Sequence, residues 1–99
     1  MKIVINSSFG GFSLPIEFCE LLNKYNEDGK PDIYDWEDEI ERTDERLINF
    51  LENNEKYSVP SYTSLEVVEI PDNATDWEIN EYDGAENIIY VVDGKIHWA

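Results

Sequence analysis

The sequence predicts an α+β domain in which two helices pack on one face of a mostly antiparallel sheet of four or five strands, in the order βααβββ. Three observations predict it. A short β-branched run opens the chain, two segments with apolar residues at helical spacing follow, and from Leu65 onward the apolar period shortens to two with turn signals between the runs.

Lys2-Ile3-Val4-Ile5-Asn6 reads as a buried strand ending in a polar residue. Ser7 to Phe12 follows as a turn, with Phe9 and Phe12 expected to pack on the sheet. Ser13 is placed as an N-cap and Pro15 is tolerated in the first turn, so Leu14, Phe18, Leu21, Leu22 and Tyr25 mark one helical face. Asn26 to Asp32 has loop composition. Thr43, followed by Asp44 and Glu45, is the expected start of a second helix, because its hydroxyl can accept an orphan amide and the acids suit the positive end of the dipole. Leu47, Ile48, Phe50 and Leu51 form its apolar side, and fraying is expected near Asn53-Asn54.

Leu65 to Ile70 and Trp77 to Tyr82 alternate as strands, separated by Pro71-Asp72-Asn73 and closed by Asp83-Gly84. Asp93-Gly94 is a two-residue hairpin signal that pairs Ile89 to Val92 with Lys95 to Trp98. Trp77 and Trp98, lying in strands, are assigned inward. The whole chain, 1–99, is one domain in which residues 26–42 form an acidic loop or insertion.

The 99 residues carry 23 Asp and Glu against 7 Lys and Arg, a formal charge of −16. So few cations cannot form the patch that neutralises phosphates, and anionic membrane surfaces are excluded for the same reason. The apolar runs are too short to span a bilayer, and the N-terminus lacks the apolar stretch of a signal peptide, so a cytosolic protein is expected. Cys19 is the single cysteine and makes no internal disulfide. Residues 1–26 are formally neutral; residues 27–56 hold 12 acids against four bases, and residues 57–99 hold nine acids against Lys95 alone. The densest stretch has six acids between Asp35 and Asp44. A small domain needs a net charge of roughly 2 to 8 for solubility, and self-repulsion beyond that opposes compaction.

No local motif specifies a reaction. The loop from Asn6 to Ser13 joins a strand to a helix and could hold a small anionic ligand through Asn6, Ser7, Ser8, Gly10, Gly11 and Ser13, but it lacks the Lys of a phosphate-binding loop. Lys2, Arg42 or Arg46 would have to converge on it. The simpler reading is a turn that needs positive φ. Lys24 and Asn26 ahead of Gly29 do not supply calcium ligands at EF-hand spacing, and no metal site or cofactor is expected. Cys19 and His97 lie in different elements, and neither belongs to a recognisable nucleophilic constellation, so no catalytic residues are assigned.

The aromatic residues among the acids are more informative, because aromatic anchors rimmed by charge suit a protein interface with a basic partner. Tyr34, Asp35, Trp36, Glu37, Asp38, Glu39, Glu41, Asp44 and Glu45 are the candidate partner-binding residues, with Tyr57 as a further aromatic in loop context.

The opening Lys2 to Asn6, the Phe9-Gly10-Gly11-Phe12-Ser13-Leu14 turn, Arg42-Thr43-Asp44, and Val67-Val68-Glu69-Ile70-Pro71-Asp72 followed by Trp77-Glu78-Ile79 and Glu81-Tyr82-Asp83-Gly84 resemble a family of small uncharacterised bacteriophage and prophage proteins. The segment from Glu27 to Glu41 is the least similar part. After Gly84 the family more often continues into a short basic segment with a terminal aromatic, which here only His97-Trp98 echo. The resemblance implies phage origin, action inside a bacterial cytoplasm and an accessory role aimed at a host component; it implies no chemistry. The leading expectation is a non-enzymatic protein that binds a basic surface of a host protein, as a mimic of nucleic-acid charge that inhibits a defence or nucleic-acid-binding component, with no direct contact to nucleic acid or membrane. The alternatives are a binder of a nucleotide signal at residues 6–13 and a self-assembling component that forms a homo-oligomer.

Overall fold

Ile3, Val4 and Ile5 are consecutive and all buried, which a strand achieves only when both of its faces are covered. In this computed structural model, which describes residues 1–35 and 39–99, both covers are present. Strand β1 (Lys2–Asn6) pairs antiparallel with β2 (Leu65–Glu69), setting Val4 opposite Val67 and Ile3 opposite Val68. Val4, Leu65 and Val67 face helices α1 (Ile16–Leu21) and α2 (Glu45–Asn53), where Leu14, Phe18, Cys19, Leu47 and Phe50 complete a core. Ile3, Ile5 and Val68 face the other way, onto Trp77, Ile79, Ile88 and Tyr90 of a second antiparallel sheet made of β3 (Asp76–Tyr82), β4 (Ala85–Val92) and β5 (Lys95–Trp98).

The fold is α+β with two helices, as expected. Its strands divide between a two-stranded and a three-stranded sheet, and four strands follow the helices where the expected order had three. The result is three layers: helices, the β1–β2 ribbon, and the β3–β4–β5 sheet. The free edge of β1 explains the division. Its outward Val4 amide donates to the Arg42 carbonyl at 2.8 Å and its Asn6 amide donates to Glu86 Oε1 at 2.8 Å, so the positions where a third strand would pair are already occupied.

Two hairpin turns build the outer sheet. Asp83 and Gly84 have φ of 51° and 88°, and Asp93 and Gly94 have φ of 53° and 76°, the paired positive values of a two-residue turn that matches strand twist. Asp83-Gly84, read from sequence as a strand end, is therefore a second hairpin of the same kind.

The helices differ from expectation at their ends. Ser13 does not cap α1; Pro15 occupies that position, and the Ser13 hydroxyl is buried without a partner among the described residues. Leu14 precedes the helix, and α1 stops at Leu21, so Leu21 and Tyr25 are exposed rather than on its buried face. The stop is specific. Asn23 takes φ of 55°, its amide donates to the Glu20 carbonyl at 3.1 Å, and the Lys24 amide donates to the Cys19 carbonyl at 2.8 Å, which closes the end of the helix in a Schellman turn. For α2 the cap is Asp44 rather than Thr43, with its carboxylate accepting from the Arg46 amide at 2.8 Å. Of the two phenylalanines expected to pack on the sheet, Phe12 packs against the core shared by the helices and the β1–β2 ribbon, whereas Phe9 is exposed. Trp77 is inward and Trp98, expected inward, is 61% exposed.

Candidate interaction surface

The residues after α1 double back through a turn at Asn26, whose side chain accepts from the Asp28 and Lys30 amides at 2.9 and 3.1 Å. This return places Asp32 and Asp35 around the Lys24 ammonium, at 2.9 and 3.1 Å, with Glu39 at 3.5 Å. Burial alone would pull the Lys24 pKa down; the hydrogen bonds and charges of Asp32 and Asp35 outweigh it and hold the ammonium above the usual lysine range.

Asp35, expected on the binding surface, is 5% exposed and has φ of 48°. Besides Lys24, its carboxylate accepts the amides of Glu39 and Ile40 at 3.1 and 3.0 Å. It is a structural bracket that closes the base of the acidic segment, because a buried carboxylate must be paired and hydrogen-bonded. Trp36, Glu37 and Asp38 lie outside the described residues. Glu39, Glu41 and Glu45 are exposed. Asp44 is committed to the α2 cap and to Arg46 at 2.8 Å, and the Arg46 hydrogen bond holds its carboxyl below the usual aspartate range.

Tyr34 is exposed, with its hydroxyl 3.1 Å from that of Tyr62. Tyr57 instead packs against Phe50, ring centroids 6.2 Å apart, and belongs to the core rather than to an interface.

The loop from Asn6 to Ser13 is filled by the protein itself. The Asn6 side chain is fully buried; it donates to the carbonyls of Ser8 and Gly84 at 2.8 Å each and accepts from the Ser64 amide at 2.8 Å. Tyr62 lies where a Cβ on Gly10 would stand, and the Gly11 carbonyl accepts from the Thr63 hydroxyl at 2.9 Å. Ser7 hydrogen-bonds to the Ser64 carbonyl, and Ser13 is buried. Of the cations that would have to gather here, Lys2 pairs with Glu52 at 2.7 Å and Arg46 with Asp44. Only Arg42 reaches the loop. It lies 3.6 Å over the Phe12 ring, and its guanidinium is clamped by Glu86 at 2.6 and 2.9 Å. The backbone of this loop serves packing between layers, and the guanidinium that reaches it is already paired with Glu86.

Cys19 is fully buried, and burial pushes its thiol up to about 11, so it is protonated at neutral pH and unsuited to nucleophilic work. His97 stacks on Tyr90 with ring centroids 5.3 Å apart. Among the described residues no helix is long and apolar enough to cross a membrane.

Two features escaped sequence reasoning. The Arg42–Glu86 clamp joins residues far apart in the chain, and nothing local marks either one. The outer face of the β3–β4–β5 sheet did have a signal: Asp76 and Glu78 alternate with Trp77 and Ile79, and Ile89, Val91, Ile96 and Trp98 recur at strand spacing around Asp93-Gly94. No protein-family model, curated protein or solved structure matches the chain.

Proposed function

We propose that this chain is a non-enzymatic accessory protein of phage origin that acts in the bacterial cytoplasm by binding a basic surface of a host protein, its carboxylates standing in for nucleic-acid phosphates. The observation that supports this reading is how its own cations are used. Lys2, Lys24, Arg42 and Arg46 are each engaged by a carboxylate of the same chain, with Nζ or guanidinium to oxygen distances of 2.6 to 2.9 Å at their shortest. Four of the 7 basic side chains are thereby paired within the chain, while Glu20, Glu27, Asp28, Glu39, Glu41, Glu45, Glu66, Glu69 and Asp83 remain exposed. A surface this one-sided attracts a basic partner over a Debye length and repels nucleic acid and anionic lipid.

The experiment is affinity capture from bacterial lysate across a salt gradient, with duplex DNA as competitor. A partner held by phosphate mimicry elutes as ionic strength rises, is displaced by DNA, and is lost with the exposed reversals Glu41→Lys and Glu45→Lys. Capture that is indifferent to salt, DNA and both reversals overturns the reading.

A further inference from the structure

The β3–β4–β5 sheet covers the β1–β2 ribbon with one face only. Strand alternation and register assign the opposite face to two cross-strand rungs, Asp76–Val91–Ile96 and Glu78–Ile89–Trp98. Each rung runs acid, aliphatic, exposed apolar residue. Across the sheet this makes an acidic row on β3, an aliphatic row on β4 and a large apolar row on β5, with rows about 4.8 Å apart. Ile96 is 68% exposed and Trp98 61%. None of Ile89, Val91, Ile96 and Trp98 belongs to either core cluster among the described residues. A shallow groove of about 180 Å³ follows the same rows, lined by Asp76, Trp77, Glu78, Ile89, Val91 and Ile96.

We infer that this outer face is a docking surface for a cationic amphipathic helix of a partner protein. Charge complementarity selects the occupant. The outer positions of the sheet include no Lys, Arg or His; Lys95 and His97 of β5 alternate onto the other face. A helix lying along β4 and β5 sets an apolar stripe on Ile89, Val91, Ile96 and Trp98 and brings lysines or arginines on its flank within reach of Asp76 and Glu78. An extended segment added at the free edge of β5 would sit too far from the acidic row to use it. A second copy of this chain would bring a molecule of charge −16 against an acidic face, and an anionic lipid surface is repelled likewise. This surface goes beyond the proposed function, since it lies on the sheet rather than in the segment from Tyr34 to Glu45 and selects a partner by apolar pattern as well as by charge.

The test uses the full chain and an 18-residue peptide with leucines along one helical stripe and lysines elsewhere, against a scrambled peptide of equal charge. The patterned peptide is expected to shift the amide resonances of Glu78, Ile89, Val91, Ile96 and Trp98 and to bind at least tenfold more tightly than the scrambled one. Ile96→Asp and Glu78→Lys, both at exposed positions outside the core, are each expected to weaken it at least tenfold, while Glu41→Lys with Glu45→Lys leaves it within twofold. Equal binding of the two peptides, or shifts confined to residues 39–45, overturns the inference without touching the proposed function. So does a sedimentation result in which the wild type self-associates and Ile96→Asp does not.

Discussion

Arg42 and Glu86 are joined by two parallel hydrogen bonds of 2.6 and 2.9 Å, and around this pair the layers of the protein are tied together. The guanidinium also donates to the Val4 carbonyl at 3.2 Å and lies over the Phe12 ring, while the carboxylate accepts the Asn6 amide. One ion pair therefore connects the segment before α2, the edge of β1, the loop after β1, and β4. The Glu86 side chain is 8% exposed and that of Arg42 23%, so screening is weak and each depends on the other for compensation.

Replacing one partner leaves a nearly buried charge alone. Glu86→Ala is expected to cost about 3 kcal/mol in urea denaturation, because it also orphans the Asn6 amide. Glu86→Gln retains an acceptor for that amide and is expected to cost less. A double-mutant cycle with Arg42→Ala should give a coupling of about 1–3 kcal/mol; a coupling near zero would show that the clamp does not hold the layers.

The two Asp-Gly hairpins respond differently to the same substitution. Gly94 has open space around a Cβ, so Gly94→Ala meets only the strain of its positive φ, about 1 kcal/mol. At Gly84 a Cβ would stand 2.5 Å from the Gly11 amide nitrogen, a backbone atom that cannot swing aside. Gly84→Ala is expected to cost at least about 2 kcal/mol more, read as a difference in chemical-denaturation midpoints at equal m-value. Equal costs would mean that the turn does not press on the loop after β1.

Glu17 gives stability a defined pH dependence. Its carboxylate accepts the Ser58 amide and hydroxyl at 2.7 Å each, and the amide hydrogen bond holds its pKa below the usual glutamate value. A depressed folded pKa contributes stability that is present above the unfolded value, about 4.3, and is lost as pH falls through the folded one. Glu17→Gln is therefore expected to be less stable than wild type at pH 7, by up to about 1 kcal/mol at this partly exposed position. The difference should shrink as pH falls through the acidic range in which the folded Glu17 takes up its proton, and vanish below it. Thermal unfolding of both proteins over that range checks it, and a constant offset would remove Glu17 as the titrating group.

The elements legible in the sequence are those settled within a few residues of chain. Consecutive Ile3, Val4 and Ile5 specify a buried strand, the alternation from Trp77 to Tyr82 a half-buried one, and Asp93-Gly94 a hairpin, since backbone sterics alone decide which residues accept paired positive φ. Helix ends were less legible: Ser13 and Pro15 lie two residues apart and Thr43 and Asp44 are adjacent, and tertiary placement chose between them.

At the candidate surface the same limit applies. Glu39, Glu41 and Glu45 are exposed as their polarity suggests, but Asp35, equally acidic and in the same run, is drawn inward because the chain returns over Lys24, a residue that composition placed in the neutral third.

By itself the sequence determined the α+β class, the surplus of carboxylates and the alternating rows that would form sheets. Only the tertiary structure decided which way those rows face. The three-residue apolar run in β1 demanded two covers, so the strands divided into two sheets; with β1–β2 covering its inner face, the outer sheet turned Ile96 and Trp98 to the solvent on the same face as Asp76 and Glu78. Alternation fixes which residues share a face, whereas the choice of buried face depends on what packs against it, and that partner comes from elsewhere in the chain.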